Sequence, residues 1–168
     1  MNYVRMKKIS LLVLLMSTVL FGQSDEKILI TKALDDWHVA AGSADFDAYF
    51  GLMTEDAVFI GTDATENWQR DEFMNYAKPH FDMGRAWNFK AVERNIYVNN
   101  EANFAWFDEL LDTQMKICRG SGVLKKVNGK WKIVHYVLSI AVPNENVDEL
   151  VKLKSEKDSV LLKRLKIK

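Results

Sequence analysis

Ala102-Asn-Phe-Ala-Trp-Phe-Asp-Glu-Leu-Leu-Asp112, Cys118-Arg-Gly-Ser-Gly-Val-Leu-Lys-Lys126 and Lys130-Trp-Lys-Ile-Val-His-Tyr-Val-Leu-Ser-Ile-Ala-Val-Pro143 are three strand-like runs in close succession. Aromatic and branched residues dominate them, and short polar turns separate them. Asn128-Gly129, between the last two, is the strongest two-residue hairpin signal in the chain. The runs also carry carboxylates, an arginine and a histidine within strands rather than loops. Strands of this composition fit a curved antiparallel sheet wrapped around a small cavity.

Upstream, Trp87 to Asn99 reads as a fourth long strand, with Asn99-Asn100 as the turn into the next. Helical periodicity precedes it. Ile30, Ala33, Leu34, Trp37 and Ala41 fall on one stripe of a helix from Asp25, with Gly42 at its end. A short helix from Asp45 buries Phe46, Tyr49, Phe50 and Met53, and Ala57-Val-Phe-Ile-Gly61 is a short strand. A third helix spans Arg70 to Met83, where Pro79 is expected to disturb or end the last turn. Helices first and an antiparallel meander afterwards define an α+β domain with the helices on one face of the sheet.

The ends of the chain read differently. Arg5, Lys7 and Lys8 precede an apolar run from Ile9 to Phe21, followed by Gly22-Gln23-Ser24. This is the pattern of a signal peptide over residues 1–23, too short for a comfortable membrane span. The expectation is a periplasmic or secreted protein with no membrane attachment after cleavage; an uncleaved N-terminal anchor is the alternative. Cleavage removes three basic and no acidic groups, which takes a neutral chain to a net charge of −3. No concentrated basic face suits nucleic acid. Cys118 is the only cysteine, so the chain has no internal disulfide and the thiol reads as a small buried apolar group. Residues 146–168 form a charged extension, seven basic and four acidic from Asp148 onward, with two competing apolar registers. An exposed helix is expected there, with a coiled-coil arm as the lesser reading.

The main domain, residues 24–145, resembles the SnoaL-like branch of the nuclear-transport-factor-2-like (NTF2-like) superfamily. The resemblance is carried by Trp37-His38, Phe59-Ile-Gly-Thr-Asp63 with Glu66-Asn-Trp68, Trp106-Phe-Asp-Glu-Leu110, Arg119-Gly-Ser-Gly-Val-Leu124, Gly129-Lys-Trp131 and Tyr136-Val-Leu-Ser139, ending in Val142-Pro-Asn-Glu145. It implies a cone in which a strongly curved antiparallel sheet closes over N-terminal helices, with a pocket at one end and homodimers formed through the outer face. It does not fix an activity, because unrelated chemistries share this scaffold.

Alternation along the strands places Trp106 with Asp108, and Trp131 with His135. Both sets are expected to face inward. Asp108 then reads as a general acid or base, or as a carboxylate in an ion pair with Arg94 or Arg119. His135 reads as a proton shuttle or a pocket wall. Arg119 before Gly-Ser-Gly is an anion or carbonyl clamp, or a salt bridge at a strand bend. The candidate ligand-binding set is Trp37, His38, Phe59, Thr62, Asp63, Trp68, Trp87, Trp106 and Trp131, whose flat rings suit an apolar or aromatic molecule. Thr62 and Asp63 belong to the rim, although Asp63 also fits a loop cap. His38, His80 and His135 lack metal-ligand spacing, so no metal is expected, and no cofactor motif occurs. The sequence thus points to an exported, homodimeric binder of a small, mostly apolar molecule, for which proton-transfer chemistry such as isomerisation, cyclisation or hydration fits. The alternative is a non-catalytic binding or assembly module acting through dimerisation and its C-terminal helix.

Overall fold

The structure is a computed structural model that describes residues 25–167; the expected signal peptide, residues 1–23, lies outside the described residues. Helix α1 spans residues 25–42. Its stripe of Ile30, Leu34, Trp37 and Ala41 is fully buried. The chain leaves α1 through Ala44 in the left-handed region (φ 55°). Asp45 N–H returns to the Ala40 carbonyl at 2.8 Å. The Asp45 carboxylate then caps α2, Phe46–Gly51, by accepting from Ala48 N–H at 3.0 Å. Strand β1 follows at Met53–Ile60, and a three-residue strand β2 at Asn67–Gln69. Helix α3, Arg70–Asp82, opens on a capping box in which the Glu72 carboxylate accepts from Gln69 N–H. Phe73, Ala77 and Phe81 form its buried side. Pro79 does not break it: the proline sits close to the end, and the helix runs on to Asp82 before Gly84 (φ 66°) closes it.

Strands β3 (Lys90–Val98), β4 (Phe104–Thr113), β5 (Lys116–Val127) and β6 (Lys130–Ile140) form the expected antiparallel meander. Asn128 and Gly129 both take positive φ, 50° and 76°, as a two-residue primed turn requires. The whole sheet has the order β2-β1-β6-β5-β4-β3. It is mixed rather than wholly antiparallel, because β1 lies parallel to β6. The architecture is the α+β NTF2-like cone that the resemblance implied. A helix α4, Val147–Leu165, extends from the domain with no buried residue.

The strand phases correct the expected facing. In β4 the buried residues are Ala105, Phe107, Glu109, Leu111 and Thr113, so Trp106 and Asp108 lie on the outer face. In β6 alternation breaks at a bulge. Val123 of β5 pairs with His135 while Leu124 pairs with Ile133, which leaves Val134 extra on β6. Trp131 and Ile133 point inward before the bulge, and Tyr136 and Leu138 after it. His135 is thereby turned outward. Asp108 and His135 do share a side of the sheet, but it is the outer one.

Two glycines of β5 make room for this packing. A Cβ on Gly120 would sit 2.2 Å from the Tyr136 hydroxyl, and one on Gly122 would sit 2.4 Å from the His135 carbonyl oxygen. Aromatic rings fill the space inside the cone. Trp37 stacks on Tyr49 at 4.8 Å, Phe59 on Phe73 at 4.0 Å, and Tyr136 meets the edge of Trp37 at 4.8 Å. At the far end, Glu26 of α1 accepts from Trp131 Nε1 at 2.7 Å and from Lys126 Nζ at 2.6 Å, which fastens the helix to the β5–β6 hairpin.

Because the His135 carbonyl is backbone, Gly122→Ala cannot be relieved by a rotamer change. The expected cost is about 1–3 kcal/mol, read in thermal denaturation as a fall of roughly 3–10 °C in Tm. Gly51→Ala, where an added Cβ meets nothing within 4 Å, should leave Tm unchanged or raised. An unaltered Tm in the Gly122 variant would contradict the described bulge geometry.

Candidate functional site

A cavity of about 170 Å³ opens where β1, β2 and α3 meet the end of the β4–β5 hairpin. Its walls are aromatic: Phe59, Trp68, Phe73, Tyr76, Trp87 and Phe89. Gly61, Thr62, Glu66, Gln114, Met115 and Leu138 complete the lining. Several rings are nearly parallel, Trp68 to Phe73 at 14°, Trp68 to Tyr76 at 22° and Phe73 to Trp87 at 22°. The local sequence explains the cluster. Strand β1 ends at Ile60, and a tight loop closed by Gly61 N–H to the Glu66 carbonyl (3.0 Å) carries Trp68 back beside Phe59. The first turns of α3 then supply Phe73 and Tyr76, one turn apart on the same side.

The rim loop is held by its own side chains. Asp63 accepts from the Thr65 hydroxyl at 2.6 Å and the Thr65 amide at 2.8 Å. These bonds, with a weaker pull from Lys157 of α4, keep its carboxyl below the usual carboxylate range. Glu66 Oε2 accepts from Asp63 N–H at 3.1 Å and lies directly over Gly61, where a Cβ would come within 2.1 Å of it. Among the described residues, Glu66 is the only carboxylate that lines the cavity, and no lysine or arginine lines it.

Behind the cavity wall lies a buried charged network. Glu109, 1% exposed, accepts from His38 Nε2 at 2.8 Å, from Arg94 Nε at 2.8 Å and from the Tyr136 hydroxyl at 3.2 Å. Arg94 is the residue directly opposite on β3, and its Nη1 continues to Asp35 at 2.7 Å and the Thr31 carbonyl at 3.3 Å. Burial pushes the Glu109 carboxyl upward. The hydrogen bonds and charges of His38 and Arg94 outweigh that push and hold it below the usual range. An ionised carboxylate only accepts, so His38 Nε2 carries the hydrogen. Burial first, and the Glu109 charge next, raise the Tyr136 phenol well above its ordinary value, so it stays a donor. Phe89 packs against His38 at 6.0 Å and Phe59 against Tyr136 at 5.5 Å, one ring layer between the network and the cavity.

The expected site residues separate accordingly. Phe59, Thr62, Trp68 and Trp87 line the cavity. Asp63 caps the adjoining loop and does not line it. Trp37 is core, and His38 belongs to the Glu109 network. Trp131 is fastened to Glu26 away from the cavity. Trp106 is half exposed on the outer face, stacked on Tyr97 at 5.8 Å. Asp108 accepts from Asn95 Nδ2 at 3.0 Å, not from Arg94 or Arg119. Arg119, Asp108 and His135 all lie on the outer sheet face, where they cannot reach the cavity from inside. Glu109 and Tyr136 were missed as a pair. Glu109 carried the same signal as Asp108, a carboxylate in an apolar strand, and only the strand phase separates the two. Among the described residues, no cluster of His, Cys, Asp and Glu could hold a metal ion, and no helix is long and apolar enough to cross a membrane.

Glu109→Gln leaves His38 and Arg94 facing an amide, a loss of about 3–5 kcal/mol at neutral pH. The folded carboxyl lies below its ordinary value of 4.5. Its stabilisation is therefore fully present above that value and is lost as pH falls through the folded one. Urea unfolding at a series of pH values should show the gap between wild type and variant narrowing in acid. A gap that stays constant would contradict an ionised Glu109.

The comparisons with known proteins agree with this geometry. An NTF2-like protein of unknown function from Pseudomonas putida KT2440 superposes with a TM-score of 0.60 at 14% identity, over 74% of this chain and 92% of that one. A Streptomyces avermitilis protein of the NTF2-like family, provisionally named a dehydratase, gives 0.61 at 12% identity, over 73% and 99%. One from Novosphingobium aromaticivorans, provisionally named an aromatic ring hydroxylase, gives 0.61 at 14%, over 71% and 91%. At these identities the likeness shows the fold alone. No curated protein matches the chain. The sequence profile of the SnoaL-like domain matches residues 30–143, most of the domain, and the chain therefore belongs to the SnoaL-like family, with the fold of the NTF2-like structures.

Proposed function

We propose that this is an exported SnoaL-like protein that binds a small, mostly apolar molecule in the aromatic cavity at the mouth of its cone. The carrying observation is the lining itself, six aromatic side chains around about 170 Å³ with few polar groups. A cavity of about 150 Å³ holds one benzene-sized molecule, so the ligand, or the part of it that enters, is of that order. Binding is favoured over proton transfer, because Asp108, Arg119 and His135 lie on the other face of the sheet and the Glu109 network is behind a ring layer. Export rests on the leader-like residues 1–23.

The outer face supports pairing with a second copy. Tyr97, Phe104, Trp106 and Ile117 are large apolar groups exposed there. Asp108 and Arg119 share that face, so a two-fold axis lets the acid of one copy meet the base of the other.

One experiment addresses the three parts. The full chain, expressed with its own N-terminus and extracted from the cell envelope or medium, is measured by native mass spectrometry. The expected result is a dimer lacking the leader and carrying a small adduct. Trp87→Leu should shed the adduct while remaining dimeric, and Trp106→Lys should become monomeric while keeping it. An intact leader would refute export, and a monomeric wild type would refute the pairing. An adduct untouched by Trp87→Leu would refute the cavity as its site.

A further inference from the structure

The chemistry of the cavity lining distinguishes among apolar ligands of one size. Its aromatic rings present π-electrons, which attract a cation placed over their faces. Its one carboxylate, Glu66, is partly buried and lines the space. One oxygen of that carboxylate already accepts from Asp63 N–H. No lysine, arginine or histidine lines the cavity, and Glu66 takes part in no ion pair among the described residues. Two other carboxylates withdrawn from solvent do have such partners: Glu109 has Arg94 and His38, and Glu26 has Lys126; Asp108, on the outer face, has the Asn95 amide instead. Lys157 of α4 acts weakly on Asp63 of the rim loop and does not line the cavity.

Negative potential from rings and carboxylate together, with no cationic side chain in the lining, favours a positively charged occupant. The kind of cation follows from desolvation. A primary ammonium is strongly hydrated and needs several acceptors once water is stripped. Among the described residues the lining offers as side-chain oxygen acceptors only Glu66, Thr62 and Gln114 besides the Tyr76 hydroxyl, the indoles of Trp68 and Trp87 being donors. A quaternary or heavily methylated ammonium spreads its charge over an apolar skin and has no such requirement. Its head group is also of the size that about 170 Å³ admits.

We infer that the cavity takes a small organic cation with an apolar skin, of the trimethylammonium type, held between the aromatic walls and the Glu66 carboxylate. The inference rests on the reading of this cavity as the ligand site and names the class of ligand. Thr62 and Gln114 are placed to receive a hydroxyl or carbonyl carried on the same molecule.

The test is calorimetric titration of the purified full chain with choline, with the neutral isostere in which carbon replaces the quaternary nitrogen, and with phenol. Choline should bind roughly tenfold or more tightly than its isostere. Glu66→Gln, whose amide oxygen can still accept from Asp63 N–H, should lose most of that preference, so that choline and the isostere bind within a few-fold of each other, while its melting temperature stays close to that of the wild type. Equal binding of choline and isostere would overturn the inference, as would a Glu66→Gln variant that keeps the full preference. Phenol separates this failure from failure of the cavity reading. Phenol bound without choline overturns the cation and leaves the ligand site standing, whereas no binding of any of the three overturns both.

Discussion

The carboxylate of Glu109 is the constraint on which the rest of the domain depends. A charged group at 1% exposure is tolerable only where its acceptor positions are filled by fixed donors. Here His38 comes from α1, Arg94 from β3 and Tyr136 from β6, so one side chain joins four elements. Meeting those donors obliges β4 to present its odd-numbered residues inward. It also fixes α1 across the sheet, because Arg94 passes on to Asp35 and the Thr31 carbonyl. Gly120, opposite Glu109 on β5, clears the space that the Tyr136 hydroxyl occupies.

With the sheet and α1 so fixed, the cone fills from its centre outward. Trp37, Tyr49, Phe59, Phe73 and Tyr136 are among the rings that take the interior, and Trp68, Tyr76 and Trp87, less buried, stand beside α3 at the cavity. The cavity is therefore shallow and aromatic, a consequence of a core packed with rings to its rim. The outer face takes the opposite character, half-exposed aromatics interspersed with Asp108, Arg119 and His135. One sheet thus borders an aromatic hollow on the inside and carries exposed apolar side chains on the outside.

The elements themselves were readable because each carries a local signal. The stripe of α1, the Asn128-Gly129 turn and the strand runs all lie within a few residues of what they specify. The strand phases were not readable, for two physical reasons. Both faces of β4 are apolar, with Phe104 and Trp106 on one side and Ala105 and Phe107 on the other, so hydrophobicity does not choose between them. Two adjacent carboxylates, Asp108 and Glu109, made equal claims, and the partners that decide are 71, 15 and 27 residues away in sequence. The bulge at Val134 added a further reversal that no local pattern announces. The three-residue β2 is too short for a period-two signal, and its parallel-sheet neighbourhood through β1 depends on tertiary pairing. Phe59, Thr62 and Trp68 reach the cavity wall because one loop brings them together, and Trp87 joins them from beyond the end of α3.

The five tryptophans report on every region that matters: Trp37 in the core, Trp68 and Trp87 at the cavity, Trp106 on the outer face and Trp131 beside Glu26. The most direct measurement of the central claim is a proton–nitrogen NMR titration that follows their indole N–H signals as phenol is added. If the aromatic cavity is the ligand site, the Trp68 and Trp87 signals move together and saturate while Trp106 and Trp131 stay fixed. Movement of Trp106 with Trp68 and Trp87 unmoved would contradict the account and put the site on the outer face of the sheet.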